Sequence, residues 1–256
     1  MSHFSNIRFE QMDLCNCDCL EFLSTLDNDS VDLVVVDPPY FRIMKDRWDN
    51  QWRDENEYLS WCQAWTAEAA RVLKPGRCFY VWGTTKTDTF LRYKMEVLNR
   101  ISDFHYQNWI VWAYDWGGRT KKTFPRKHED LLMYSKGREF LFNADDVRIP
   151  YKMQSNVRKG AINNPLGKIP TDVWTKNNHT TSREYAGWHP TQKPVALLER
   201  IVKANTDPGD TVLDFFSGSG STAVAALRCG REFVGCEVDS VYHSKSLHRI
   251  EELKCC

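Results

Sequence analysis

Asp37-Pro38-Pro39-Tyr40 is a stretch whose residue types suggest chemistry. Two consecutive prolines fix the backbone, so the carboxylate and the ring beside them are held still. Asp37 accepts a hydrogen bond from an amino group. The Pro38 carbonyl, with no competing ladder partner, accepts a second, and Tyr40 offers a flat face for stacking. Together these describe a grip on a planar ring bearing an NH₂. The plainer alternative is a rigid turn after a strand, carrying a surface tyrosine.

A second cluster lies far along the chain, at Asp214-Phe215-Phe216-Ser217-Gly218-Ser219-Gly220. Gly218 and Gly220 allow a tight turn and a close approach of backbone to ligand. Glu237 follows Gly218 by 19 residues (237 − 218), the distance at which nucleotide-binding αβ units place a carboxylate for ribose hydroxyls. A diphosphate-binding fingerprint asks for a third glycine where this chain has Ala223, so the loop suits an adenosine without a diphosphate.

The elements that position these clusters follow from periodicity. Residues 31–36 (VDLVVV) form an apolar run, the pattern of a strand covered on both faces, and end at Asp37. Asp54 and Glu57 predict a capping box for a helix carrying Tyr58, Trp61, Cys62, Trp65, Ala69, Val72 and Leu73 at helical spacing, stopped by Lys74-Pro75-Gly76. Residues 77–82 read as a strand and 87–99 as a helix. Residues 107–114 and 130–135 read as two strands, an antiparallel pair closing the sheet. Helix 195–204 opens after Pro194. Strand 211–214, helix 221–229, strand 232–236 and a final helix from Asp239 to Leu253 complete the pattern. Alternating strands and helices imply an α/β fold with a doubly wound, mostly parallel sheet. Ligands in such sheets bind beyond the carboxyl ends of the strands, where Asp37, Asp214 and Glu237 all fall.

The 256 residues, 42% hydrophobic, suit one large domain with an insertion. Ten tryptophans supply core and also flat surface for bases. Net charge is zero, so nucleic-acid affinity must come from local patches. One holds Arg119, Lys121, Lys122, Arg126 and Lys127; another spans Lys152, Arg158, Lys159, Lys168 and Lys176, with Asp172 the sole acid inside it. Residues 143–188 lose periodicity, which marks a functional insertion or disorder. Of nine cysteines, none shows paired CxxC spacing, and alternation at Cys15, Cys17 and Cys19 predicts three thiols on one face of an extended segment, reduced and without metal. No signal peptide or membrane-length apolar run is visible, and the chain reads as soluble and cytoplasmic.

With these residues in hand, the chain resembles the S-adenosylmethionine-dependent DNA amino-methyltransferases of the N6-adenine and N4-cytosine family. Asp37–Tyr40 matches their catalytic tetrapeptide. Asp214–Gly220 resembles their cofactor loop, usually DPFxGSG, departing at Phe215 where proline is usual. The catalytic segment precedes the cofactor segment across a long variable region, the order of the β class, a circular rearrangement of the Rossmann-like methyltransferase fold. Arg71–Gly76, Lys127–Asp130 and His189–Pro194 support the resemblance, which covers nearly the whole chain.

The resemblance implies a catalytic half over 1–142, target recognition in 143–188 and a cofactor half over 189–256. It implies that Asp37, Pro38, Pro39 and Tyr40 hold the target base. The loop of Asp214, Phe216, Ser217, Gly218, Ser219 and Gly220 would line the methionine part of S-adenosyl-L-methionine, Glu237 its ribose and Asp18 its adenine, with Thr191 and Lys193 near its carboxylate. Double-stranded DNA is the implied partner. A homodimer, common in this class, and a cognate restriction enzyme are further expectations. The implied reaction is direct transfer to the amino group of a flipped-out base, with no cysteine nucleophile. Asp at position 37, where others carry Ser, leans to adenine N6 over cytosine N4. An RNA methyltransferase, a silent DNA-binding protein and a nicotinamide enzyme are the competing readings.

Overall fold

The computed structural model describes residues 12–114, 119–151, 164–175 and 184–254. In chain order the main elements are β1 (Met12–Cys15), α1 (Cys19–Ser24), β2 (Val31–Val36), α2 (Glu55–Val72), β3 (Leu73–Gly83), α3 (Thr89–Arg92), β4 (Phe104–Ala113), β5 (His128–Lys136), β6 (Val173–Thr175), α4 (Val195–Asn205), β7 (Thr211–Asp214), α5 (Ser221–Arg228), β8 (Glu232–Cys236) and α6 (Ser240–Lys254). The eight strands form one sheet in the order β1-β8-β7-β2-β3-β5-β4-β6. Every neighbouring pair is parallel except the two that involve β5, which alone runs against the rest.

The apolar run of β2 explains its central place. Val34 and Val36 face one core with α1 and α2, while Leu33 and Val35 face the other with α4 and α5, so both faces are covered. Asp32 interrupts the run and is buried, but Lys74 and Arg77 reach it at 2.9 and 3.0 Å and the Thr211 amide donates to it. No helix among the described residues is long and apolar enough to cross a membrane.

Several local expectations change. β4 and β5 do pair antiparallel, yet they do not close the sheet, because β6 from the irregular region adds a parallel strand outside β4. The helix expected over 87–99 is α3 followed by a π turn, Tyr93–Val97, and a 3-10 turn, Leu98–Arg100. The widened turn leaves Tyr93, Val97 and Leu98 all buried. Asp54 caps α2 through the Asn56 and Glu57 amides, but Glu57 reaches back to the Arg53 amide, one residue short of a reciprocal box. Cys15, Cys17 and Cys19 share no extended face: Cys15 ends β1, Cys17 lies in the connection and Cys19 opens α1. Asp18 forces that change of geometry by capping α1, accepting from the Leu20 and Glu21 amides.

Candidate active site

β2, β7 and β8 are consecutive in the sheet and parallel, so Asp37, Asp214 and Glu237 stand side by side at one edge. Behind them opens a cavity of about 500 Å³, lined by Asp37–Tyr40 and Phe216–Ser219 together. Tyr40 and Gly218, 178 positions apart (218 − 40) in the chain, therefore face one space.

The Asp37–Tyr40 turn is tied down by its own tyrosine and by Lys193, which Glu129 and Trp82 hold in turn. The Tyr40 hydroxyl donates to Asp37 Oδ1 at 2.6 Å; burial first, then the charges of Asp37 and Glu129, hold this phenol protonated, well above its ordinary range. Lys193 Nζ lies 2.5 Å from Asp37 Oδ2 and 3.1 Å from Glu129 Oε2, and 5.4 Å above the Trp82 ring. Burial works against the Lys193 charge, but Asp37 and Glu129 more than offset it and keep the ammonium charged. Burial also raises the Glu129 carboxyl, with Lys193 pulling the other way.

Lys193, which the resemblance places near a cofactor carboxylate, lines the cavity with its ammonium engaged by Asp37 and Glu129. Sequence reasoning missed Glu129, although its Lys127–Asp130 neighbourhood stood out. The signal is an acid at the head of β5, the one strand among the described residues that brings its amino end to this edge. Asp130 beside it is structural, accepting from Trp109 Nε1 and the Thr85 amide and hydroxyl.

The glycine loop is built around Glu237. Its carboxylate accepts from the Gly218 amide at 2.7 Å and the Asp239 amide at 2.9 Å. Burial raises the Glu237 carboxyl, while these two amides lower it. Gly218 has φ +50° and Gly220 φ +72°, the left-handed region that favours glycine. A Cβ on Gly218 would lie 2.8 Å from His189 Nε2, so the imidazole occupies the space a side chain would need. Burial pushes His189 down to about 4, so the ring is neutral near pH 7. Asp214 accepts from the Phe216 amide at 3.0 Å, and burial pushes its carboxyl up to about 7. Arg249 from α6 braces the loop through the Ser219 carbonyl at 2.7 Å and the Ser221 hydroxyl at 3.0 Å.

These residues fit a nucleoside attached to an amino acid. The cavity has the volume of a small-molecule site. The buried Ser217 hydroxyl has no hydrogen-bond partner among the described residues, which leaves a polar group for a ligand. Asp18, Thr191 and Lys193 also line it. Cys17 and Cys19 lie on the wall, and burial raises both thiols, Cys19 to about 12, so they are poor nucleophiles.

Of the basic residues, Arg119, Lys121, Lys122 and Arg126 are exposed on the β4–β5 connection, and Lys127 is half-buried at its return. Because β4 parallels β3 and β5 opposes it, that connection emerges at the edge that carries Asp37. Phe124 beside them is 99% exposed. Lys168 is half-buried and its backbone bridges Ile149. Lys152, Arg158, Lys159 and Lys176 lie outside the described residues.

The chain matches a family model described as DNA methylase over residues 31–247. It is 32% identical over 253 residues to the type II methyltransferase M1.MboII of Moraxella bovis, with 92% of this chain and 95% of that protein covered. It is 34% identical over 245 residues to the DNA adenine methyltransferase YhdJ of Escherichia coli strain K12, covering 91% and 81%. Among solved structures it is similar to the cytosine-N4-specific PvuII DNA methyltransferase, with TM-score 0.71 at 20% identity, covering 94% and 86%. It is also similar to M1.HpyAVI in complex with SAM, with TM-score 0.61 at 19% identity, covering 93% and 98%. At these identities the structural likeness is one of fold.

Proposed function

The chain belongs to the N6/N4 DNA methylase family, the S-adenosylmethionine-dependent DNA amino-methyltransferases of the β class, and we propose that it methylates N6 of adenine in double-stranded DNA. The observation that carries this is the juxtaposition of an immobilised Asp37 with the glycine loop in one cavity.

When bound, S-adenosylmethionine supplies an electrophilic methyl group on a sulfonium. Glu237 and the backbone of Phe216–Gly220 hold it, with the Ser217 hydroxyl as a further contact and Asp18 toward its adenine. The chain's own work is on the other reactant. An exocyclic amine is a weak nucleophile because its lone pair is delocalised into the ring. Asp37 and the Pro38 carbonyl accept its two N–H bonds and draw that lone pair out of conjugation. Asp37 is suited to accept rather than to abstract: Tyr40 and Lys193 each take one of its acceptor positions, which fixes its plane and leaves others for the base. Positioning then supplies much of the rate, and the amine's N–H proton, acidic only once the methyl has arrived, leaves to solvent. The target amine lies inside a duplex, so the base flips out, and stacking on the Tyr40 ring returns about 1–3 kcal/mol. The Tyr40–Asp37 bond holds that ring in place.

The basic β4–β5 connection contacts the DNA backbone, and residues 143–188 read its sequence. Asp at position 37 and the name of the adenine-modifying relative support adenine over cytosine. The test is expression in a methylation-free host, followed by nucleoside chromatography and modified-base sequencing. N6-methyladenine at one recurring site is expected. N4-methylcytosine would overturn the choice of base, and unmodified DNA the activity.

A further inference from the structure

Residues 41–53 connect the catalytic turn to α2 and have no part in the reaction as described so far. Their centre is firmly built. Asp49 is 1% exposed. Its carboxylate accepts from the Tyr40 amide at 2.7 Å and the Met44 amide at 2.8 Å, and its carbonyl accepts from the Arg42 amide at 2.7 Å. Arg42 adopts φ +54°, a conformation a non-glycine residue holds only when its surroundings dictate it. Asn50 closes the loop on itself, donating to the Met44 and Asp46 carbonyls. Burial pushes the Asp49 carboxyl up to about 6 while the Met44 and Tyr40 amides pull the other way, so this carboxyl is desolvated for its amide bonds.

The next residue back reaches the far side of the site. Trp48 lines the cavity and sets its ring edge-on to Tyr242 of α6, with centroids 5.9 Å apart. Tyr242 in turn packs on His189 at 4.7 Å, the imidazole that sits over Gly218. One short segment therefore grips the base-holding turn at Tyr40 and spans the cavity to the cofactor loop.

We propose that Asp49 is a positioning residue for methyl transfer: its carboxylate fixes the Tyr40 backbone and, through the same turn, holds Trp48 across the cavity against Tyr242, so that closure over the cofactor and alignment of the base-holding turn are set together. This rests on the methyltransferase reading above and adds a coupling to it. An asparagine cannot serve both amides, because one of its two terminal groups is itself a donor.

The experiment is a double-mutant cycle in the full chain with Asp49→Asn and Trp48→Ala. It reads the S-adenosylmethionine dissociation constant by calorimetry, the single-turnover rate on duplex DNA at saturating cofactor, and the melting temperature. Trp48→Ala should raise the cofactor dissociation constant about tenfold, and Trp48→Phe should recover part of that. Asp49→Asn should raise it by a similar factor and also slow transfer about 10–100-fold. In the Trp48→Ala background Asp49→Asn should no longer change cofactor affinity, while still slowing transfer. Penalties on affinity that simply multiply, or a folded Asp49→Asn enzyme with wild-type affinity and rate, would overturn the coupling. Should Asp49→Asn fail to fold, wild-type affinity in Trp48→Ala is by itself enough to overturn it. A wild-type chain that methylates no DNA defeats the methyltransferase reading instead, and the affinity cycle still decides the coupling of Asp49 to Trp48.

Discussion

Lys193→Met takes away the cation that two carboxylates share. In the native site Lys193 is 6% exposed, while the Asp37 and Glu129 side chains are 21% and 27% exposed. Removing one partner of a buried ion pair costs about 3–5 kcal/mol, because an uncompensated charge stays behind. Here both carboxylates keep some access to water, which favours the lower end, roughly 3 kcal/mol. For a chain of this size that lowers the melting temperature by about 6–10 °C. Adding Glu129→Gln removes one of the stranded charges, and the double variant should recover about half the loss. Calorimetry on the apo chain gives stability, titration with S-adenosylmethionine gives affinity, and tritiated-methyl incorporation under single turnover gives the chemical step. The expected pattern is a transfer rate down by about a hundredfold or more with cofactor affinity within about threefold of wild type. An unchanged melting temperature with cofactor affinity weakened tenfold would refute the reasoning, since it would mean that Lys193 serves the cofactor carboxylate and not Asp37.

Three further outcomes are expected. Gly218→Ala should weaken cofactor binding at least about tenfold, because left-handed backbone costs alanine about 1–2 kcal/mol and its Cβ meets His189; His189→Ala in the same chain should restore only the steric part, and wild-type affinity in Gly218→Ala would contradict this. His189 has a depressed value near 4 against 6.5 when unfolded, so its stabilising effect is complete above about pH 6.5 and is lost as pH falls toward 4. His189→Asn should flatten the stability profile in that window by up to about 3 kcal/mol, and an unaltered slope would show the ring titrating normally. Asp214 has the opposite sign, raised from 3.8 to about 7, so its effect is complete below about pH 3.8 and lost as pH rises through 7. Asp214→Asn should therefore stabilise the apo chain at pH 8, by an amount on the order of 3 kcal/mol, and a destabilised variant there would count against the buried neutral carboxyl.

What the sequence made legible was whatever chemistry is written in consecutive residues. The proline-fixed turn, the glycine pair and the acid spaced 19 residues on are local patterns, and the strand ends that carry them follow from apolar runs. The doubly wound sheet was legible for the same reason, since Leu33 to Val36 declare two covered faces. What stayed hidden depends on contacts between distant segments. Lys193 reaches Asp37 across 156 positions, and no spacing rule announces that pair. Glu129 joins them because β5 is reversed, a property of sheet topology and not of its own nine residues. The cysteine alternation misled because Asp18 starts a helix inside it. Trp48 and Asp49 carry no spacing signal, because their partners are a ring on the last helix and an amide nine residues back.

The reversal of β5 has a consequence for how such a chain changes over time. Its hairpin with β4 is paired from Phe104↔Lys136 to Ala113↔His128 with one irregularity between Tyr106 and Asn108, and the Tyr114 amide donates to the Lys127 carbonyl beyond the last rung. A bend lengthened, trimmed or stripped of its lysines leaves every rung in place. The acids at the neighbouring strand ends are thereby separated from the tip by paired backbone, so an edit at the tip has no direct purchase on the carboxylates.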